Sequence, residues 1–175
     1  MKTRSVSTKA TISKTAPRDL RGTRASKAPA VAAHLEFADP SVCESCSAVY
    51  TRKTWRVGRA LSEAMLGKAH WTKCPACRQK KNGIAYGRVV ARGDFDGRRL
   101  AAIERRVANV AARAGFTQPE RAIVSMERTG DGLDVLTTSQ KLAHRIVHEL
   151  KKAFGGRARF AWADRDGALL ATWSA

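Results

Sequence analysis

Residues 130–156 read GDGLDVLTTSQKLAHRIVHELKKAFGG, and their reading decides the fold. Gly130, Asp131 and Gly132 lie between two short apolar stretches, Ala122 to Arg128 and Leu133 to Thr137, which is a β-hairpin signature. Thr138 or Ser139 then supplies a helix N-cap. Leu142, Ile146, Leu150 and Phe154 follow at four-residue spacing, the buried stripe of an amphipathic helix, and Gly155-Gly156 ends it.

The flanking segments extend this pattern. Ile84 to Arg92 reads as a strand through Ile84, Val89 and Val90. Asp96 caps a helix predicted from about Gly97 to Ala114, with Leu100, Ile103, Val107 and Val110 on one face and Gly115 as its stop. Arg157 to Ala163 and Ala168 to Trp173 read as two closing strands around Asp164-Arg165-Asp166-Gly167. The order β-α-β-β-α-β, with one strand added at the end, is the split-βαβ, ferredoxin-like arrangement, in which two helices cover one face of an antiparallel sheet. The predicted class is therefore α+β: a four-cysteine zinc-knuckle module over residues 41–82, then a ferredoxin-like βαββαβ(β) domain over 83–175.

The module rests on the chain's only cysteines. Cys43-x-x-Cys46 and Cys74-Pro75-Ala76-Cys77 are separated by 27 residues. A two-residue gap lets both sulfurs of a pair reach one metal from a tight turn, and two such pairs complete the four-thiolate tetrahedron that structural zinc prefers. Zn2+ is the expected cofactor; two disulfides or an iron–sulfur cluster are the alternatives. A closed thiolate set holds structure and leaves no vacant position for hydrolysis. His70 precedes Cys74 by four residues and reads as a surface histidine. Between the pairs, Trp55, Val57, Leu61, Ala64, Met65 and Leu66 recur at roughly helical spacing, which predicts a short helix ending at Gly67.

Charge points to the partner. The 175-residue chain carries 33 Lys and Arg against 15 Asp and Glu, a net +18. A charge this lopsided concentrates on polyanions. Residues 1–40 read as a disordered basic tail, poor in large apolar side chains and suited to phosphate contact. Residues 41–82 hold nine basic residues against Glu44 and Glu63. No run of eighteen apolar residues is present, so no membrane partner is expected, and the chain is placed in a reducing cytoplasm. Its Arg-rich and Ser-rich start fits a mitochondrial transit peptide as well.

Several constellations point away from catalysis. His144 and His148 stand four apart, but Arg145 occupies the place of the Glu that a zinc hydrolase needs, so they read as part of a solvated polar face. Gly130 and Gly132 are followed by no Lys-Ser or Lys-Thr and form no phosphate loop. The pairs Asp94/Asp96 and Asp164/Asp166 sit beside glycines in turns, where Asp is favoured for backbone reasons. The expectation is a protein that is not an enzyme. The predicted central strands, Ile123 to Met126 and Leu133 to Leu136, lack the aromatics on which RNA-recognition motifs stack bases, and only Tyr86 sits on the first strand.

The CxxC pair, basic insertion, Cys-Pro-x-Cys and βαββαβ order, over residues 40–165, resemble the N-terminal part of the Nmd-three ribosomal export adaptor family. The likeness is best carried by the segment quoted at the outset. The family usually has more CxxC pairs, and its eukaryotic members add β-rich domains and transport signals with no counterpart in this chain. The resemblance implies association with ribosomal RNA or the large ribosomal subunit. The residues expected to contact RNA are Arg52, Lys53, Arg56, Arg59, Lys73, Arg78, Lys80 and Lys81, with Trp55 and Trp71 as candidates to stack on bases. A zinc-ribbon regulator binding DNA is the alternative, and it lacks a readable recognition helix.

Overall fold

The computed structural model describes residues 37–163 and 167–175. Most of the expected tail, and the Asp164/Asp166 pair, lie outside the described residues. Two sheets and four helices make a mixed α+β fold.

The N-terminal part is built from β1 (Ser41–Cys43), β2 (Val49–Thr51), β3 (Thr54–Arg56), α1 (Glu63–Leu66), β4 (His70–Thr72) and α2 (Pro75–Lys81). Its strands form one sheet in the order β3-β2-β1-β4. The helix expected between the cysteine pairs shrinks to the four residues of α1, and Trp55 belongs to β3. The helical spacing misled because Thr54, Trp55 and Arg56 alternate exposed, buried, exposed, which is strand periodicity. Gly58, at φ 72°, then takes the chain out of any helical path.

The larger sheet contains β5 (Gly87–Arg92), β6 (Ile123–Thr129), β7 (Gly132–Thr137), β8 (Arg157–Trp162) and β9 (Leu169–Ser174), in the order β6-β7-β5-β9-β8. The helices α3 (Gly97–Thr117) and α4 (Gln140–Phe154) supply their buried residues to the same core. The element order is as the sequence predicted, but the sheet is mixed rather than antiparallel: β5 pairs antiparallel with β7 and parallel with β9. The reason lies in the last hairpin. β8 and β9 pair with each other, and only one of them can flank β5. β9 buries Leu169, Ala171 and Trp173, whereas β8 carries Arg157 and Arg159 and buries far less. Placing β9 inside removes more apolar area from water, and the arginines then protect an open edge.

The core joins Val89 and Ala91 of β5, Ile103, Val107 and Val110 of α3, Leu133 and Val135 of β7, Leu142, Ile146 and Leu150 of α4, and the three inward residues of β9. Trp173 is fully buried; its indole N–H donates to the Gly155 carbonyl at 2.8 Å and its ring stacks on Phe95 at 5.7 Å. One side chain thus fills the core and satisfies a carbonyl where α4 ends. Asp96 caps α3 by accepting the Arg99 backbone N–H at 2.6 Å. The helix runs past the expected Gly115 stop to Thr117 and ends at Gln118, which the following Pro119 disfavours from helical backbone.

This packing predicts that Ile146→Ala costs about 2–5 kcal/mol, the usual range for emptying a fully buried aliphatic site. Chemical denaturation followed by circular dichroism measures the loss, because α3 and α4 carry most of the helical signal.

Candidate metal centre

The first cysteine pair sits on the β1–β2 connection. Cys43 donates its backbone N–H to the Ala48 carbonyl at 2.8 Å, and Ser47 donates back to the Cys43 carbonyl at 2.9 Å. Ser47 takes a left-handed φ of 56°, which turns the chain sharply after Cys46. The second pair opens α2: Cys74 is its N-cap, Pro75 follows in the first turn, and the Arg78 N–H reaches the Cys74 carbonyl at 3.0 Å. Parallel pairing of β1 with β4 sets Cys43 beside Thr72 and so brings the two knuckles together.

The four sulfurs all lie within 4.8 Å of one another, and Cys46 Sγ is 3.7 Å from Cys74 Sγ. A tetrahedral cation bonded to sulfur at about 2.3 Å spaces its ligands by about 3.8 Å. The cluster has that size, so the four cysteines are positioned to coordinate a metal ion, and the set is consistent with zinc. His70 lies exposed on β4, outside the cluster.

The surroundings distinguish the thiols. Burial pushes the Cys43 thiol up, but hydrogen bonds from the Cys74, Ser45 and Cys46 backbones outweigh it and bring the pKa down to about 7. The Cys74 N–H donates to Cys43 Sγ at 3.3 Å. Burial pushes Cys74 well above the ordinary thiol range and Cys77 up to about 11; the Cys43 and Cys46 sulfurs add to both, while the Cys74 thiol partly offsets the rise at Cys77. A bound cation reverses this preference, because a coordinated thiol is deprotonated.

A small aromatic cluster supports the knuckles. Phe37, Tyr50 and Trp55 meet with ring centroids 5.0 to 5.3 Å apart. Trp55 is therefore not free to stack on bases: it is buried in the module's core, while Trp71 remains 61% exposed. The sequence reading assigned Phe37 to the tail, and a lone aromatic beside a basic segment gave no signal of this contact. Asp39, equally unforeseen, accepts the Arg52 backbone N–H at 2.7 Å.

The expected basic residues surround the module in three groups. Arg52 and Lys53 form the exposed tip of the β2–β3 hairpin, with Arg56 and Arg59 exposed just beyond it. Arg56, Arg59 and Phe116 share an open groove of about 510 Å³. Lys73, Arg78 and Lys81 line a shallow hollow of about 400 Å³ with Glu44, Thr72 and Asn82. Arg78 is held there by a 3.2 Å hydrogen bond to Thr72 Oγ1 and by its position over the Phe37 ring. Lys80 is exposed on α2. Among the described residues the ion pairs fall in the larger domain: Arg88–Asp134, Arg92–Asp131, Arg106–Glu149 and Arg128–Glu104. None involves a basic residue of the module.

Among the described residues no helix is long and apolar enough to cross a membrane. No family model matches the chain, and comparison with curated proteins finds no match.

The two cores are distinct clusters of side chains, so they should respond separately to loss of the metal. Cys74→Ser should abolish stoichiometric metal, read by elemental analysis, and expose Trp55, read by a red-shifted tryptophan emission. The helical circular dichroism of α3 and α4 should persist. Loss of the metal with no change around Trp55 would show that the thiolate set does not organise the module.

Proposed function

We propose that this chain is a zinc-stabilised RNA-binding protein that docks on ribosomal RNA of the large subunit through its cysteine module. The observation that carries the reading is the unneutralised charge there. Arg52, Lys53, Arg56, Arg59, Lys80 and Lys81 are exposed, and none has an ion-pair partner among the described residues. By contrast, the larger domain spends carboxylates on four of its arginines. Cations left without partners on a scaffold held by metal meet phosphates at low ordering cost. The resemblance to the Nmd-three family supports ribosomal RNA as the target. The module's helices, four and seven residues long, are too short to read a DNA major groove as a recognition helix does.

The hairpin tip adds a second line of support. Arg52 and Lys53 both have left-handed backbone, φ 51° and 61°. A two-residue hairpin turn of this kind favours Asn-Gly, and a side chain in the left-handed region costs about 1 kcal/mol or more. Two long cations therefore occupy positions that backbone energetics would assign to other residues, a mismatch expected at a functional site.

Replacing the tip by its preferred residues separates stability from binding. Arg52→Asn with Lys53→Gly should raise the module's stability by about 1–2 kcal/mol, from relief of the turn. The same variant should bind RNA more weakly and lower the slope of log affinity against log salt by about 1.5, as two phosphate contacts disappear. An unchanged salt slope would remove the tip from the interface. For the target, the protein should co-sediment with large ribosomal subunits at physiological salt and leave them at high salt or on metal chelation. Crosslinking mainly to chromosomal DNA would replace this reading.

A further inference from the structure

The sequence reading set aside base stacking because the central strands lack aromatics. The structure places exposed aromatics elsewhere, on the edge strand β8. Phe160 and Trp162 alternate with Arg157, Arg159 and Ala161, so both rings belong to the face that α4 covers. His144 and His148, exposed on α4, lean against Phe160. The His144 ring centroid is 4.6 Å from that of His148 and 4.6 Å from that of Phe160; His148 lies 5.9 Å from Phe160 with only 23° between ring planes. Three rings thus run from the helix onto the strand, and Trp162, 58% exposed, stands two residues further along.

Charge surrounds this surface. Lys141, Arg145 and Lys152 are exposed on α4; Arg157 and Arg159 are exposed on β8 too, on the opposite face of the strand at its open edge. The one carboxylate of α4, Glu149, is engaged by Arg106 at 2.6 Å and does not neutralise them. Exposed rings bordered by cations are what a single strand requires: every base has a π face, and every linkage has a phosphate.

Three other occupants fit less well. A second copy pairing along the open β8 edge would bring Arg157 and Arg159 of each chain together, a charge pattern that discourages edge-to-edge association. An anionic membrane needs a larger inserted apolar face than one exposed indole and one half-buried phenyl ring supply. A metal ion would find only two imidazoles, since the only group of three or more ligating side chains among the described residues is the cysteine set.

We propose that the α4–β8 edge is a second RNA-contact surface, where Trp162 and the Phe160–His144–His148 rings stack unpaired bases while flanking cations hold the backbone. The proposal takes its class of partner from the reading above, but its surface is separate from the metal module.

The test measures affinity by fluorescence anisotropy for three labelled RNAs: a short unstructured single strand, the same strand with abasic sites, and a duplex. Trp162→Ala should weaken binding to the single strand about tenfold, the typical worth of one stacked base. Trp162→Phe should retain most of the affinity. The abasic strand should bind the native protein more weakly than the intact strand binds Trp162→Ala, since it loses stacking on every ring, and Trp162→Ala should leave duplex affinity unchanged. The side chain lies outside the buried core, so circular dichroism should show the fold retained.

The proposal is overturned if Trp162→Ala binds the single strand like the native protein, or loses single strand and duplex equally. It is also overturned if Trp162 governs binding to phosphatidylglycerol vesicles or self-association, read by sedimentation, in place of RNA. Reversing Arg52 and Lys53 to Glu distinguishes the two surfaces: it should lower affinity for all three RNAs and leave the Trp162 ratio intact. A native protein that binds none of the three overturns both this proposal and the reading it borrows from.

Discussion

Four sulfur atoms gathered within 4.8 Å set the terms for the N-terminal half of the structure. Left as thiols they waste burial, and burial itself opposes their ionisation at Cys74 and Cys77. A cation at their centre would resolve both problems and tie β1 to the start of α2. The side chains buried around it are few, chiefly Ala48, Trp55 and Ala76 with Phe37 and Tyr50 alongside. A core of that size does not hold a fold of this length unaided, so coordination of a cation would supply the missing stability. The left-handed backbone at Ser47 and Arg52 is held by hydrogen bonds, the Ser47 N–H to the Cys43 carbonyl and the Arg52 N–H to Asp39, as such positions persist only where the surroundings over-determine them.

The larger domain meets a different constraint. Its stability comes from α3 and α4 closing over β5, β7 and β9, and four of its arginines are engaged by carboxylates. Arg88 forks onto Asp134 across the open face of the sheet, and Arg106 and Arg128 bind carboxylates on neighbouring elements. The exposed Arg92–Asp131 pair adds little stability, about 1 kcal/mol or less, whereas Arg88–Asp134 is largely buried and bidentate. Their effect is to remove local field, and the cations that remain without an ion pair among the described residues include those on the module, along α4 and β8, and Arg98, Arg99, Arg105 and Arg113 on α3. The distribution of partners, more than the total of +18, separates surfaces suited to a polyanion from surfaces that merely carry charge.

The segments that were legible in the sequence are those whose stability is local. Leu142, Ile146 and Leu150 repeat with helical period and are fully buried on α4; Asp96 caps α3 as its position before the apolar stripe implied; Gly130 and Asp131 turn the β6–β7 hairpin. The cysteine spacing told equally well which residues would converge, because a CxxC turn presents two sulfurs whatever surrounds it. The misreadings share one cause. Trp55 matched helical spacing by chance, because a short module core draws residues from several brief strands, whereas Ala64, Met65 and Leu66 do lie on the single helical turn α1 before Gly67. Phe37 looked like the end of a tail until Tyr50 and Trp55 gave it partners.

The sequence by itself determined the α+β class, the order of elements in the larger domain, the four residues of the metal centre and the excess of positive charge, since each is written in period, spacing or composition. Tertiary structure decided the rest. Whether β8 or β9 flanks β5 depends on how much apolar area each buries against helices far away in the chain, and no local pattern records that comparison. Whether an arginine is neutralised depends on which carboxylate the fold brings within reach. Whether a histidine pair is a plain polar face or part of an aromatic surface depends on Phe160, which the sheet edge delivers to His144 and His148 from across the α4–β8 turn. Each outcome is a competition among non-local contacts, which only the assembled chain resolves.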